Sequence, residues 1–457
     1  MRRFRVEANL PSLTDVNILS SRLSMSSTSL LARKKLVLLV GRTLGIMTLL
    51  FVASAWAQST EKVIFDLGTP GAGGSLIVDR QGNLFGTASG DPGQPGTIYE
   101  VKLSANGTWR HYVLYRFLGG NDGKHPNAGL IFDNTGNLYG TTQVGGANAC
   151  PYSSTSTCGT VFELSPTPSG GWTETQLYNF VGGGGNNTDG ENPNGGLVAD
   201  AAGNLYGTTA SGGNYYHGTI FRLTPESNGT WTESVLYRFS GGVDGAGPSG
   251  LVRDSKGSLY GFTRGGGVTQ GGTIFELSPN PDGTWTYQLL YTFCSRTNCS
   301  DGDEPTGIAL DSQRNLYGFT NYGGSVPCFD ADSGCGTLFK LVRGTSGSWV
   351  FHLLHTFCKL SACLDGAFPY GSPTQAPDGT LYGLAIVGGT NNQGTLFKVV
   401  HSPSGWVLAT LYSFCSSFPC PDGQDPTGTL ALDSAGHLYG TTPVGGKGDG
   451  VVFQVTP

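Results

Sequence analysis

The chain has 457 residues and is rich in glycine (74 residues), poor in charge (13%) and rich in aromatic side chains (11%). Disordered chains are rich in charge and poor in aromatic residues, so this composition excludes disorder and suits short strands joined by tight turns. The formal charge of −6 becomes about −12 without the basic first 57 residues. A chain this acidic is not expected to bind nucleic acid or an anionic membrane.

The first segment, residues 1–57, is predicted to be an export signal. The basic group Arg33–Lys35 precedes an apolar stretch that ends at a small-residue cleavage site, Ala55–Ala57. Two alternatives stay open: translation starts at Met25, or the apolar stretch is retained as a membrane anchor. Export with cleavage leaves residues 58–457 as one domain, either secreted or held in the periplasm or cell envelope, and free of the membrane.

One short motif of the form Gly-Asn-Leu-Tyr-Gly recurs seven times after the signal. Its central leucines are Leu84, Leu138, Leu205, Leu259, Leu316, Leu381 and Leu438. Self-similarity at this spacing indicates an array of supersecondary units such as a propeller. Each unit carries four runs rich in β-branched and aromatic residues, bounded by Gly, Pro, Asn and Asp, which is typical of strands. In the third unit these runs are 196–200, 204–209, 218–223 and 231–239.

The two ends of the repeat array predict a closed ring. The last unit reaches Pro457 after only three strands, whereas a strand-like run without a partner, Lys62–Leu67, precedes the first complete unit. Pairing that run with the last unit completes a seventh blade and leaves only short, protected sheet edges. The sequence therefore predicts an all-β fold, a seven-bladed β-propeller of four-stranded antiparallel blades closed by the N-terminal strand.

The pattern G-N-L-Y-G-T-T, then G-T-(V/I/L)-F-(E/K)-L, then L-Y-x-F resembles the GloVer tandem repeats, a choice-of-anchor family of exported bacterial proteins. The resemblance covers residues 61–457. The segment that leads into G-N-L-Y is also similar to NHL-type propeller repeats. These resemblances imply an exported bacterial propeller and carry no defined activity. Because the sequence ends at Val455–Pro457 without a sorting tail, anchoring through the C-terminus is not expected.

Ten cysteines form five close pairs, which behind an export signal predict a disulfide framework. The pairs are Cys150/Cys158, Cys294/Cys299, Cys328/Cys335, Cys358/Cys363 and Cys415/Cys420. The spacing typical of a zinc site is missing. In a four-stranded blade with strands a to d, the b–c and d–a loops share one face, and all five pairs fall in such loops. Stapled loops on one face of a regular scaffold favour that face as the binding face.

Aromatic residues gather in the same loops and predict carbohydrate binding, with rings stacking on sugar faces. The candidate binding residues are Tyr152, Tyr215, Tyr216, Tyr322, Phe329 and Tyr370, with His217, Phe368 and Phe418 in the same loops. The alternative is that these side chains anchor their loops. One tryptophan per complete c–d hairpin (first Trp109, last Trp406) is instead expected to pack between blades.

Two sets of aspartates recur with the repeat. The first ends strand a in every unit except the sixth, which has Ala376, and is expected to form tight turns. The second precedes a glycine between strands d and a: Asp122, Asp189, Asp244, Asp301, Asp365 and Asp422. Its expected role is again a turn, stiffened by a following proline. A ring of these carboxylates that binds calcium is the alternative, and no other cofactor is predicted.

No catalytic constellation is recognisable. The seven histidines are scattered, and neither a G-x-S-x-G nor an H-E-x-x-H motif occurs. The favoured function is non-catalytic binding of an extracellular glycan or a cell-surface protein by a monomer, through the disulfide-bearing face. Two alternatives stay open: a propeller-type enzyme, such as a polysaccharide lyase, glycosidase or lactonase, and a structural envelope protein. The enzyme alternative predicts carboxylates or histidines from several blades at the channel mouth.

Overall fold

Seven antiparallel sheets follow one another along the chain in a computed structural model. The structure describes residues 59–67, 74–90, 93–150, 157–184, 187–328, 334–344 and 347–457. Each sheet is one blade, and the chain from Ser59 to Pro457 forms one unit. The seven-bladed β-propeller predicted from the repeat is therefore confirmed, whereas the predicted export signal, 1–57, lies outside the described residues.

The strands are lettered a to d from the central channel outward, and the blades are numbered along the chain. Strand a comprises, in blade order, Ile77–Val78, Ile131–Phe132, Val198–Ala199, Ala246–Arg253, Asp303–Leu310, Ala367–Gln375 and Thr427–Leu432. Strand b comprises Leu84–Ala88, Leu138–Thr142, Leu205–Gly212, Leu259–Gly265, Leu316–Tyr322, Leu381–Val387 and Leu438–Thr442. Strand c comprises Thr97–Leu103, Thr160–Pro166, Thr219–Pro225, Thr273–Pro279, Thr337–Arg343, Thr395–Ser402 and Val451–Thr456. Strand d comprises Trp109–Arg116, Trp172–Asn179, Trp231–Arg238, Trp285–Thr292, Trp349–Thr356, Gly405–Ser413 and, in blade 7, Thr60–Asp66.

A few short elements lie between these strands. They are the segment Gly190–Pro193, which pairs with strand b of blade 3, a small hairpin of Gly183–Gly184 with Asn187–Thr188, and 3-10 turns at Gly120–Asp122, Thr297–Cys299 and Ser361–Cys363. None of the described residues belongs to a helix with the length and apolar character needed to span a membrane.

The ring is closed by the N-terminal strand. Thr60–Asp66 pairs antiparallel with Val451–Thr456, with Thr60 opposite Thr456 and Asp66 opposite Val451. Blades 7 and 1 also meet near the channel, where the Thr441 hydroxyl donates to the carbonyl of Gly74 at 3.1 Å. The predicted closure is confirmed, with the strand beginning two residues earlier and ending one residue earlier than the sequence indicated.

The repeat motif encodes the packing inside each blade. The motif leucine of strand b and the phenylalanine of strand c are buried, as Leu205 and Phe221 show in blade 3. A Cβ atom on the motif glycine Gly207 would lie 2.5 Å from the Cζ atom of Phe221. Only glycine leaves room for that ring, so the second glycine of Gly-Asn-Leu-Tyr-Gly and the phenylalanine of the next strand are required together.

The tryptophans at the start of strand d pack between blades, as expected. Each lies edge-on against a tyrosine or phenylalanine of the preceding blade, with ring centroids 6.0 to 6.4 Å apart. The pairs are Trp109–Tyr439, Trp172–Phe85, Trp231–Tyr139, Trp285–Tyr206, Trp349–Tyr260 and Trp406–Tyr317. The first pair joins blades 1 and 7, so the same contact that links successive blades also closes the ring.

Strand a departs most from the sequence-based expectation. In blade 3 the expected run 196–200 shrinks to Val198–Ala199, and the segment Gly190–Pro193 pairs separately with the same strand b. The break falls at a Pro-x-Gly sequence, because proline lacks an N–H for the ladder. Register shifts mark the same place in blades 4 to 7. Such bulges re-aim a side chain, here toward the mouth of the channel.

Candidate functional site

The central channel opens into a cavity of about 540 Å³ whose lining comes from all seven blades. One layer of the lining is the residue that directly follows the proline before or within strand a. The described members are Asn127, Asn194, Ser249, Thr306, Tyr370 and Thr427. A second layer is the residue five positions after the motif leucine of strand b, which is Ser89, Gln143, Arg264 or Pro443. The cavity is thus built from equivalent positions of a repeat, one set per blade.

The position of the layer that strands a contribute is set by the close approach of neighbouring strands a. A Cβ atom on Gly307 would lie 2.2 Å from the carbonyl oxygen of Gly371, and one on Gly371 would lie 2.2 Å from that of Gly428. The glycine of Pro-x-Gly therefore lets neighbouring strands a touch by their backbones. Below this ring the channel is lined by apolar side chains such as Ile77, Ile131 and Leu251. The mouth is a polar cup above an apolar channel.

The polar groups of the cup are neutral, with one exception. Among the described residues that line this cavity, Arg264 is the one charged side chain, and none is Asp, Glu or His. The amide of Asn127 donates to the Oε1 atom of Gln143 at 2.8 Å. The Oδ1 atom of Asn194 is buried and accepts no hydrogen bond from the part of the chain that the structure describes. A buried acceptor of this kind is costly unless a ligand or water satisfies it.

Arg264 and Tyr370 form a contact across the mouth. Arg264 is the residue before the last in strand b of blade 4 and is exposed, whereas Tyr370 lies at the strand a bulge of blade 6. The Nη2 atom of Arg264 donates to the Tyr370 hydroxyl at 3.0 Å, and the guanidinium carbon lies 5.9 Å from the ring centroid. Burial and Asp303 raise the pKa of Glu304, while the nearby Arg264 opposes that rise.

The predicted aromatic residues have different surroundings. Tyr370 lines the cavity. Tyr322 packs edge-on against Phe368, with ring centroids 5.6 Å apart, as a loop anchor would. Tyr215 and Tyr216 are 59% and 40% exposed in the b–c loop of blade 3 and do not line the cavity. The other two candidates, Tyr152 and Phe329, lie outside the described residues.

The disulfide framework is confirmed, because every predicted pair is bonded. The pairs are Cys150–Cys158, Cys294–Cys299, Cys328–Cys335, Cys358–Cys363 and Cys415–Cys420. The disulfide-bonded loops form backbone hydrogen bonds with the segments that line the mouth. The N–H of Phe368, two residues before Tyr370, donates to the carbonyl of Cys335 at 2.9 Å, and the N–H of Asn192 donates to that of Cys158 at 2.9 Å. The cavity therefore opens on the disulfide-bearing face.

The aspartates of the Asp-Gly pairs bind within their own turns. The carboxylate of Asp244 accepts the Tyr237 hydroxyl at 3.1 Å and the N–H of Ser240 at 2.8 Å. Asp122, Asp189, Asp301, Asp365 and Asp422 accept equivalent bonds from their own blades, with His355 in place of the tyrosine beside Asp365. Burial alone would raise the pKa of Asp365, but hydrogen bonds from His355 and two backbone N–H groups lower it.

These aspartates do not converge on one point within the described ranges. Two groups of at least three His, Cys, Asp or Glu ligand atoms lie within 4.8 Å of one another there, and neither contains any of these aspartates. The groups are Cys335 with Cys358 and Cys363, and Cys150 with Cys158 and Glu191. The cysteines of both groups are held in disulfides. The calcium alternative stays a prediction.

A second, larger groove of about 1310 Å³ lies on the opposite face, among blades 5 to 7. Tyr317, Tyr382, His401 and Trp406 line it, together with the a–b turn of blade 6. This turn is the one with Ala376 in place of the repeated aspartate. The sequence analysis did not predict a groove on this face.

Sequence reasoning also missed Arg264, although a signal was present. The residue five positions after the motif leucine differs in every blade: Ser89, Gln143, Ala210, Arg264, Asn321, Ile386 and Pro443. The motif before it hardly changes. A variable position that follows a constant motif in a ring of repeats is where a regular scaffold can present a specific site.

Blades, channel and cup define this protein as a seven-bladed β-propeller with a ligand-sized polar cavity at one end of its channel. The chain belongs to the Gloeobacter/Verrucomicrobia repeat family, whose model matches residues 71–331 and 328–457, which confirms the GloVer resemblance.

Among solved structures, a streptogramin B lyase is 16% identical, with a TM-score of 0.52, over 88% of this chain and 99% of that chain. A virginiamycin B lyase from Staphylococcus aureus is 15% identical, with a TM-score of 0.50, over 87% and 99%. At these identities the similarity shows the fold alone. No curated protein matches the chain.

Proposed function

We propose that this propeller binds a glycan at the mouth of its channel without catalysing a reaction. One observation carries the proposal: the described lining is a ring of neutral hydroxyl and amide groups with a single arginine. Glycoside hydrolysis canonically uses a pair of carboxyl groups. General acid–base catalysis uses His, Asp, Glu, Lys, Cys or Tyr side chains, of which the described lining holds Tyr370 alone. The described lining of the mouth offers neither carboxylate nor histidine.

The composition of the cup supports a sugar as ligand. Asn, Gln, Ser and Thr side chains both donate and accept hydrogen bonds, as sugar hydroxyls do. Tyr370 adds an aromatic ring at the rim. The volume of about 540 Å³ lies within the usual range for small-molecule sites.

Five disulfides support a place outside the reducing cytoplasm. Together with the predicted export signal, they favour a protein that meets its glycan in the periplasm, at the cell surface or in the medium. A cell-surface protein as the partner, or a purely structural envelope role, is what a failed glycan test would favour.

The experiment is a polysaccharide and oligosaccharide binding screen of residues 58–457, with and without calcium. Tyr370→Ala is expected to weaken the binding of any hit by at least about tenfold, because it removes a ring and a hydroxyl from the cup. Tyr112→Ala is the matched control, since Tyr112 is an exposed tyrosine on the outer strand of blade 1. Binding should resist chelation of calcium.

Three results would overturn this proposal. They are the absence of any glycan hit, turnover of a bound glycan, and loss of binding with Tyr215→Ala but not with Tyr370→Ala. The last result would move the site to the blade 3 loop.

A further inference from the structure

Among the described residues Arg264 has no carboxylate within 4.0 Å, and Glu304 acts on it only at longer range. Arg314 shows the contrast: its guanidinium lies 2.6 Å from the Asp254 carboxylate and 3.7 Å from that of Glu276. Arg314 is therefore neutralised within the fold, whereas the charge of Arg264 is left facing the channel mouth.

The guanidinium of Arg264 is fixed by one hydrogen bond and keeps further N–H donors for a ligand. An arginine has five N–H donors in a planar fork, and here one bond goes to the Tyr370 hydroxyl at 3.0 Å. That bond joins a residue of blade 4 to a residue of blade 6. Anchoring at one nitrogen limits the rotamers of the side chain and leaves donors free toward the cavity. Tyr370 is thus a positioning residue for Arg264 as well as part of the lining.

The surrounding groups define what the arginine can recognise. Asn127, Asn194, Ser249, Thr306 and Thr427 supply neutral donors and acceptors around the cavity, which suit sugar hydroxyls but cannot balance a charge. A planar guanidinium matches a carboxylate with two parallel hydrogen bonds.

We infer that the glycan bound at the channel mouth carries a carboxylate, as a uronic acid residue does, and that Arg264 binds it. This inference rests on the proposed function, because it specifies the ligand of the same site. The sugar hydroxyls bind the neutral ring, and the carboxylate binds the free face of the Arg264 guanidinium. The acidic overall charge of the chain disfavours a general attraction of polyanions, so the preference is expected to depend on the local pair with Arg264.

The test compares acidic polysaccharides with their own neutral forms. The probes are polygalacturonate, alginate and a glucuronan, each assayed beside the same polymer after reduction of its carboxylates to alcohols. The wild-type protein is expected to bind at least one acidic form at least about tenfold more tightly than its reduced form. Arg264→Gln should remove that preference and leave the weaker binding of the reduced form unchanged.

Two further variants separate charge from folding. Arg264→Lys keeps the charge but loses the planar fork, so it should retain only part of the preference. Tyr370→Phe keeps the ring but releases the guanidinium, and it should reduce the preference without abolishing binding. Arg110→Gln, an exposed arginine on strand d of blade 1, is the matched control and should behave as wild type.

The outcomes distinguish the two claims. Equal binding of acidic and reduced forms by wild type, or a preference that persists in Arg264→Gln, overturns the inference and leaves the proposed function standing. Absence of binding to every glycan by a folded wild-type protein overturns the proposed function. Loss of binding in Arg110→Gln as well would assign the effect to general charge and overturn the role of Arg264.

Discussion

At the residue scale, the aspartate that ends strand a is a turn-forming group. The Oδ1 atom of Asp200 accepts the N–H groups of Ala202 and Asn204 at 2.9 and 3.0 Å. Its Oδ2 atom accepts the Asn204 amide at 2.8 Å and the Tyr206 hydroxyl at 2.9 Å. Burial alone would raise the pKa of Asp200, but these bonds outweigh it and lower that pKa.

Asp200→Ala is therefore expected to lower the free energy of unfolding by about 2 kcal/mol, because several polar groups lose their shared acceptor. Urea denaturation at pH 7 measures the change. Asp282→Ala is the control, since Asp282 sits in an exposed turn and accepts two bonds from Thr284, so its loss should be smaller. An equal loss in both variants would contradict the special role of the strand a aspartate.

The residue two positions after the tryptophan position of strand d, counted from Ser59 in blade 7, differs from blade to blade. It is aromatic in blades 4 and 5, where Tyr287 stacks on Tyr237 and Phe351 stacks on Tyr291, each at 4.4 Å. In blades 2, 3 and 7 it is a glutamate: Glu174, Glu233 and Glu61. Burial, aided by the charge of a nearby aspartate, raises the pKa of Glu61 and Glu174 to about 7 and that of Glu233 to about 8.

These glutamates predict that the protein is less stable in mild base than in mild acid. The folded state holds a proton on Glu233 up to about pH 8, whereas the unfolded chain releases it near its ordinary pKa of 4.5. The contribution of Glu233 to the free energy of unfolding is therefore fully present below about pH 4.5. It is lost as the pH rises toward 8. Two nearby charges change the pKa of Glu233: Asp189 raises it and Arg238 lowers it.

Glu233→Gln should flatten the decline by roughly 1–2 kcal/mol between pH 5.5 and pH 8, after allowance for solvent screening. Denaturant midpoints across that range measure it. Glu233→Phe copies blade 5, where Phe351 stacks on the tyrosine of the preceding blade, and should stabilise the protein at pH 8. A pH profile identical to that of wild type in both variants would refute the assignment.

The elements were predictable from the sequence to the extent that the repeat encodes them. Strands b, c and d could be predicted from the motif Gly-Asn-Leu-Tyr-Gly and the apolar runs that accompany it. Their side chains pack within one blade or against a neighbouring blade, so the repeat itself records the contacts. Strand a was predicted less well, since its bulge at Pro-x-Gly depends on contact with neighbouring inner strands. The meeting of Arg264 with Tyr370 could not be predicted, because 106 residues and one whole blade separate them.

At the scale of the whole molecule, the contact between blades 6 and 7 differs from the other contacts between neighbouring blades. In six blades strand d starts with or near a tryptophan that packs on the preceding blade. In blade 7, Thr60 opposes Thr456 and the tryptophan position falls on Ser59. The Ser59 hydroxyl donates to the carbonyl of Leu411 in blade 6. The closing strand still buries Ile64 and Leu67, so the ring depends on its pairing.

Deletion of Glu61–Leu67 should therefore destabilise all seven blades and lower the melting temperature by roughly 10 °C or more. The deletion exposes strand c of blade 7 as an unpaired apolar edge, so aggregation should accompany unfolding. A circular permutant that starts at Gly74 and carries residues 59–67 after Pro457 is the control. Thr60 opposes Thr456 in an antiparallel pair, so a hairpin linker of two to five residues joins the ends. Restored melting in the permutant would show that the strand itself closes the ring, whereas unchanged melting in the deletion variant would refute the closure.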